Sequence, residues 1–272
     1  MTTSKRRSLV VAAIILTVVL VFMGTTWTFA QEESTLARIL RTNKLRVVCI
    51  LTTPPFGMRD SQGNPVGYDV DIAKELAKQL GVDLEIVDAV DAANRVPYVV
   101  TGKADVAIAT LGITLERAKV INFTDPYVRD GQVIVTRADV DGIRKVEDLE
   151  GKTVGVVRGG PQDIIVDKYL KHAKVMRYGS VADVFLALRQ KKVDAVIESK
   201  VISDYQASLS PGIKVVGEPF TTLYWGFGVR KGDYDWVNYL NVFIRELNIS
   251  GKNEELYSKW FGGAKPLKLT PE

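Results

Sequence analysis

Apolar runs of strand length alternate with segments of helical period along most of this chain, and that alternation points to α/β architecture. KLRVVCIL (44–51), VDLEIV (82–87) and ADVAIA (104–109) read as strands. Between the first two, Val70, Ala73, Leu76, Ala77 and Leu80 recur at helical spacing; Gly81 supplies a stop and Asp69 an N-cap. A second series starts after Gly151, with the strand KTVGVVR, a helix from Pro161 and the strand KVMRY. A helix carrying Val181, Val184, Phe185 and Leu188 follows, then the strand DAVIE. Two helices close the chain, the first with Trp236, Leu240, Phe243, Ile244 and Leu247 on one face.

The two series echo each other. KADVAIA (103–109) has a partner in KVDAVIE (192–198), and KLRVVCI (44–50) has one in KTVGVVR (152–158). Two lobes of like design would face their strand C-termini into a shared cleft. Open α/β sheets bind ligands outside those carboxyl ends.

Length and composition allow this: 272 residues suffice for two modest domains, and 46% apolar with 25% charged residues is ordinary globular usage. The first thirty residues stand apart. Lys5, Arg6 and Arg7 precede an apolar run from Leu9 to Met23, and TFA (28–30) precedes Gln31. That is the three-part pattern of a secretory signal peptide, with cleavage near Ala30 and a periplasmic mature chain as the expectation. The alternative is a retained membrane anchor, but the run is shorter than the roughly 20 residues a spanning helix needs. Removing residues 1–30 takes three positive charges and no acidic ones, leaving 33 Lys+Arg against 32 Asp+Glu. The basicity belongs to the leader and carries no sign of nucleic-acid binding.

Familiar catalytic signatures are missing. Gly151-Lys152-Thr153 resembles the end of a phosphate loop, but Val146 stands where the earlier glycine is required. The sequence has no G-x-S-x-G, H-E-x-x-H or C-x-x-C motif. Cys49 sits in an apolar run and reads as a small buried hydrophobe, and His172 is the only histidine. No metal and no cofactor is expected, and an exported chain of this kind suggests binding more than catalysis.

Four features point to one small zwitterionic or anionic ligand. In ATLGITLERAK (109–119), Thr110 and Gly112 end a strand and lead into a short helix carrying Arg117. Arg117 is either paired with Glu116 and solvent, or folds back to hold a carboxylate through two parallel hydrogen bonds. RGGPQ (158–162) is either a plain strand–helix turn or a place where free amides near Gly160 and Gln162 meet a ligand. Glu198, ending DAVIE, is a solvated strand end or a partner for an ammonium group. NRVP (94–97) sets a second arginine, Arg95, just before a helix.

GYDVDIAKELAKQLG, GKADVAIATLGITLERAKVINFTDPY, the glycine-rich turn after KTVGVV, VDAVIES and ELYSKWFG occur in one order and spacing. Together they resemble the amino-acid-binding proteins of bacterial ABC importers, solute-binding protein family 3, over roughly residues 36–262. The ligand-binding cores of ionotropic glutamate receptors share that fold.

The resemblance implies a two-lobed periplasmic-binding-protein fold of type II with no enzymatic activity. Lobe one is expected at 36–127 and 227–272 and lobe two at 132–222, with hinge crossings near 127–131 and 222–226. It gives Arg117 and Thr110 the α-carboxylate, and leaves Gly112, where a serine or threonine is usual, only its backbone. Many members hold the α-ammonium with an aspartate at the position of Ser199. The receptor-like order E-S puts Glu198 in that role here. Ile50 and Thr53 stand where binders of cationic side chains carry an acid and an aromatic. The NRVP segment is similar to that of aspartate and glutamate binders, which gives Arg95 a distal carboxylate. A membrane permease is the implied partner of a monomeric binding protein. The alternative is an exported lyase of the cyclohexadienyl dehydratase type, whose opening LARILRTNKLRVV also resembles.

Overall fold

Ser34 starts the first element of the computed structural model, which describes residues 33–269. The expected signal segment at 1–30 lies outside them. Helix α1 (Thr35–Thr42) is capped by Ser34 Oγ, which accepts from the Ala37 N–H at 3.2 Å. Strand β1 (Lys44–Cys49) and the short strands β2 (Met58–Arg59) and β3 (Pro65–Val66) follow. Helix α2 (Tyr68–Leu80) ends at a left-handed Gly81, as its spacing predicts. Then come β4 (Asp83–Asp88), α3 (Arg95–Val100), β5 (Val106–Ala107), the single turn α4 (Leu115–Ala118) and β6 (Ile121–Asp130).

The second series runs β7 (Gln132–Arg137), β8 (Thr153–Val157), α5 (Pro161–Tyr169), β9 (Lys174–Tyr178) and α6 (Val181–Arg189). It ends with β10 (Ala195–Ser199), α7 (Lys200–Leu209) and β11 (Ile213–Val216). Strand β12 (Leu223–Arg230) and helices α8 (Tyr234–Ile249) and α9 (Lys252–Trp260) complete the described chain. The five apolar residues marking one face of α8 are all buried.

Two five-stranded sheets result, ordered β4-β1-β5-β12-β6 and β9-β8-β10-β7-β11. In each, the first three strands are parallel and the last two join antiparallel. The order and sense of the strands match position for position, so the sequence echo reflects two sheets of one design. The match holds although β12 follows the other strands of its sheet in sequence and β7 precedes those of its own. The chain leaves the first sheet after Asp130 and enters the second at Gln132. It returns between Val216 and Leu223. Residues 223–226, expected in the second crossing, already pair with β6.

Two local readings change. The strand expected at 104–109 has only Val106 and Ala107 as strand residues, because the chain turns at Thr110 with φ 48°. Asp69 is not the N-cap of α2; Gly67 holds that position, and the Asp69 side chain is buried, 2% exposed, with both oxygens engaged elsewhere.

Candidate functional site

The loop after β5 is fixed from several sides. Thr110 is β-branched yet left-handed, a conformation costing roughly 1–3 kcal/mol. Asp69 Oδ2 accepts from the Thr110 N–H at 3.0 Å, and Asp69 Oδ1 accepts from the Tyr127 hydroxyl at 2.8 Å. On the other side of the same residue, Arg95 Nη1 donates to the carbonyls of Ala109 (2.8 Å) and Thr110 (2.9 Å). Three charge-assisted bonds at roughly 1.5–3 kcal/mol each outweigh the strain. The loop therefore stands in a shape it would not adopt alone.

Arg95 is 1% exposed and almost fully committed. Besides those two carbonyls, its Nε donates to Ala92 O at 2.7 Å and its Nη2 to Gly159 O at 3.0 Å. Four of its five N–H groups are thus spent on backbone oxygens. Burial draws its pKa down to about 9, with Arg117 nearby adding to the fall, and it stays charged at neutral pH.

Arg117 is not paired with Glu116. Thr114 Oγ1 accepts from the Arg117 N–H at 3.2 Å and caps the single turn α4. Glu116 pairs with Lys119 instead, at 2.8 Å. The Arg117 guanidinium folds inward, donating to Gly112 O (2.7 Å) and to Gly159 O (2.8 Å). Burial lowers its pKa to about 10.

Gly112 has a steric reason to be glycine. A Cβ there would lie 3.2 Å from Pro161 Cγ and Leu223 Cδ1 and 3.3 Å from Arg117 Nη1, so a hydroxymethyl group would have to displace them. Its carbonyl serves as the anchor of Arg117.

From the second sheet, the glycine turn approaches this loop. Gly159 is left-handed (φ 67°), and a Cβ on it would stand 3.0 Å from Ala93 Cα. Its carbonyl accepts from both arginines. Pro161 and Gln162 open α5, and Gln162 Nε2 donates to Glu198 Oε2 at 2.9 Å. Glu198 Oε1 accepts from the Ser199 N–H at 2.8 Å. Burial raises the Glu198 carboxyl to about 7, with the Ser199 amide opposing and Asp130 reinforcing the shift. Burial also raises Asp69 to about 7, against the pull of Tyr127, Thr110 and Arg95.

Arg95, Thr110, Gly160, Gln162 and Glu198 line one narrow cleft, together with Ile50, Thr53 and Trp225. Arg117 and Gly112 are not among its lining residues; Arg117 shares the Gly159 carbonyl with the lining residue Arg95, and Gly112 packs near the lining residue Pro161. The cleft has a guanidinium on one side and a carboxylate on the other, the complement of an amino-acid zwitterion. Among the described residues, no group of three or more His, Cys, Asp and Glu side chains could hold a metal ion.

Sequence reasoning missed Asp69, Tyr127 and Trp225. Asp69 carried the clue of an acidic residue early in an amphipathic helix, read there as a cap. Tyr127 and Trp225 gave no local signal, since β6 and β12 read as ordinary strands.

A model of the bacterial extracellular solute-binding proteins, family 3, matches residues 45–263. The ABC transporter glutamine-binding protein GlnH of Bacillus subtilis (strain 168) is 29% identical over 234 residues, 85% of each chain. A mutant of ArgBP from T. maritima superposes with a TM-score of 0.80 and 40% identity, covering 84% of this chain and 99% of that one. The ancestral amino-acid-binding protein AncCDT-1, a precursor of cyclohexadienyl dehydratase, gives 0.80 at 33% identity, covering 84% of this chain and 100% of that one.

Proposed function

Because the chain belongs to the bacterial extracellular solute-binding proteins of family 3, we propose that it captures an amino acid in this cleft and delivers it to an ABC permease. The observation that carries this reading is the pairing of Arg117 and Glu198. Arg117 follows the loop of the first sheet and donates to Gly159 O of the glycine turn, while Glu198 ends a strand of the second sheet and lines the cleft with Thr110. The α-carboxylate docks on Arg117 and the Thr110–Gly112 loop, and the α-ammonium on Glu198. Only two of the five Arg117 N–H groups are engaged, so a carboxylate can still be gripped.

Ligand contacts on both sheets favour the closed arrangement over an open one, the differential affinity that drives hinge closure. The chain crosses between sheets at Gly131 and at 217–222, which supports reading these segments as the hinge. Residues 1–30 export the protein, and it acts outside the cytoplasm as a monomer. An acidic ligand side chain, expected from NRVP, gains nothing from Arg95, four of whose five N–H groups are held by backbone carbonyls.

Titration calorimetry with the twenty amino acids tests the proposal. Saturable binding of at least one, lost in Arg117→Ala, is the expected result; binding of none would sink it. The lyase alternative draws on the likeness to AncCDT-1 and on a cleft carboxyl that titrates near neutrality. Incubation with prephenate and arogenate separates the two, and no product is expected.

A further inference from the structure

The polar groups of the cleft separate into those already balanced and those without partners. Arg95 and Asp69 are joined through a single residue: Thr110 donates its N–H to Asp69 and accepts on its carbonyl from Arg95. Above about pH 7, where Asp69 is ionised, their opposite charges offset one another before any ligand arrives. Arg117 and Glu198 remain, one of each sign, and a zwitterion's own carboxylate and ammonium use both. Apart from the uncharged hydroxyl of Thr53, the other lining is apolar, with Ile50, Ala92, Val157, Val181 and Ile202. A third ligand charge would be stripped of water there with nothing of opposite sign to meet it.

Two lining side chains hold polar atoms without a hydrogen-bond partner in the protein. Trp225 is 1% exposed and packs edge-on against Phe56 at 4.8 Å between ring centroids, and its Nε1–H is unpaired. Gln162 is 2% exposed, and its Oε1 is unpaired. The orientation of that amide is set by chemistry, because only its NH₂ can face the Glu198 carboxylate. One orphan is a pure donor and the other an acceptor. Buried polar groups of this kind are rare in folded proteins and call for a partner.

Resting on the amino-acid-binding reading above, we infer that the cleft selects a neutral side chain bearing a carboxamide, and that Trp225 Nε1–H is the donor that reads its oxygen. Gln162 Oε1 accepts a ligand N–H. An alkyl side chain leaves the indole N–H unpaired. A carboxylate satisfies the indole but brings an uncompensated charge.

The test is calorimetry of glutamine, asparagine, glutamate and leucine on the wild type and on Trp225→Phe, which keeps the ring against Phe56 and removes the N–H. Wild type is expected to bind one of the two carboxamides at least tenfold more tightly than glutamate and leucine. Trp225→Phe is expected to lose at least tenfold for that carboxamide and to change less than about twofold for leucine. Glutamate or leucine binding as tightly as the carboxamides, or unchanged carboxamide affinity in Trp225→Phe, overturns the inference. Should that variant fail to fold, the wild-type ranking decides alone. An amino acid whose binding is abolished by Arg117→Ala keeps the broader reading standing even where this inference falls. Absence of any amino-acid binding removes both.

Discussion

Asp69 Oδ2 lies 3.0 Å from the Thr110 amide nitrogen, 41 residues along the chain, and holds a β-branched residue in the left-handed region. The helix that carries Asp69 thereby sets the shape of the loop whose Thr110 lines the cleft.

Replacing Asp69 by alanine leaves the Tyr127 hydroxyl without its acceptor and the Thr110 N–H with only its longer bond to the Tyr127 oxygen at 3.3 Å. Loss of about 2–4 kcal/mol of stability by denaturant melting is expected. Asp69→Asn retains one acceptor oxygen and is expected to fold while binding ligand roughly tenfold more weakly by calorimetry. Unchanged affinity in Asp69→Asn would separate the loop shape from binding.

Arg117→Ala is expected to abolish most ligand binding and leave the far-ultraviolet circular dichroism spectrum unchanged. Its guanidinium donates to two backbone carbonyls, Gly112 O and Gly159 O, which can take up water once the side chain is gone. Retained affinity would remove Arg117 from the carboxylate role.

Gly159→Ala tests the approach of the two sheets. The new methyl would meet Ala93 at 3.0 Å on a backbone with φ 67°. Affinity is expected to fall at least tenfold, because the glycine turn can no longer reach the loop that faces it. Small-angle scattering with saturating ligand should then show a larger radius of gyration than wild type.

The Glu198 carboxyl is raised to about 7 by burial, and a bound ammonium favours its ionised form. Binding therefore releases a proton below pH 7, and affinity is expected to rise with pH up to that point, by at most about tenfold per unit. Above it the curve flattens. Glu198→Gln should bind weakly and lose most of this slope, and a slope identical to wild type would assign the titration elsewhere.

Stability of the ligand-free protein should run the other way. Asp69 and Glu198 both have folded pKa values of about 7, above their ordinary ones. The folded state thus holds more protons than the unfolded chain between about pH 4 and 7, and stability from these groups is lost as pH rises through 7. A lower melting temperature at pH 8 than at pH 5.5 is the expected outcome by calorimetric scanning.

Much of the scaffold was legible because it is periodic. The α8 stripe and the Gly81 stop depend on contacts one turn or one residue apart. The echo between KADVAIA and KVDAVIE is the local trace of two central strands, β5 and β10, at equivalent places in matching sheets. Arg117 was visible as a candidate, yet its inward turn was not, since the acceptor Gly159 O is 42 residues away.

What the sequence determined by itself is the order of elements, the two series, and the residue types able to meet a zwitterion. Those follow from short-range pattern and side-chain chemistry. Tertiary structure alone decided which of those residues are free to act. It committed Arg95 to backbone carbonyls, joined Asp69 to Thr110, and brought Trp225 into the cleft beside Gln162. The physical reason is that a buried polar group must find its partners wherever the fold places them, and no local pattern records a partner forty residues away.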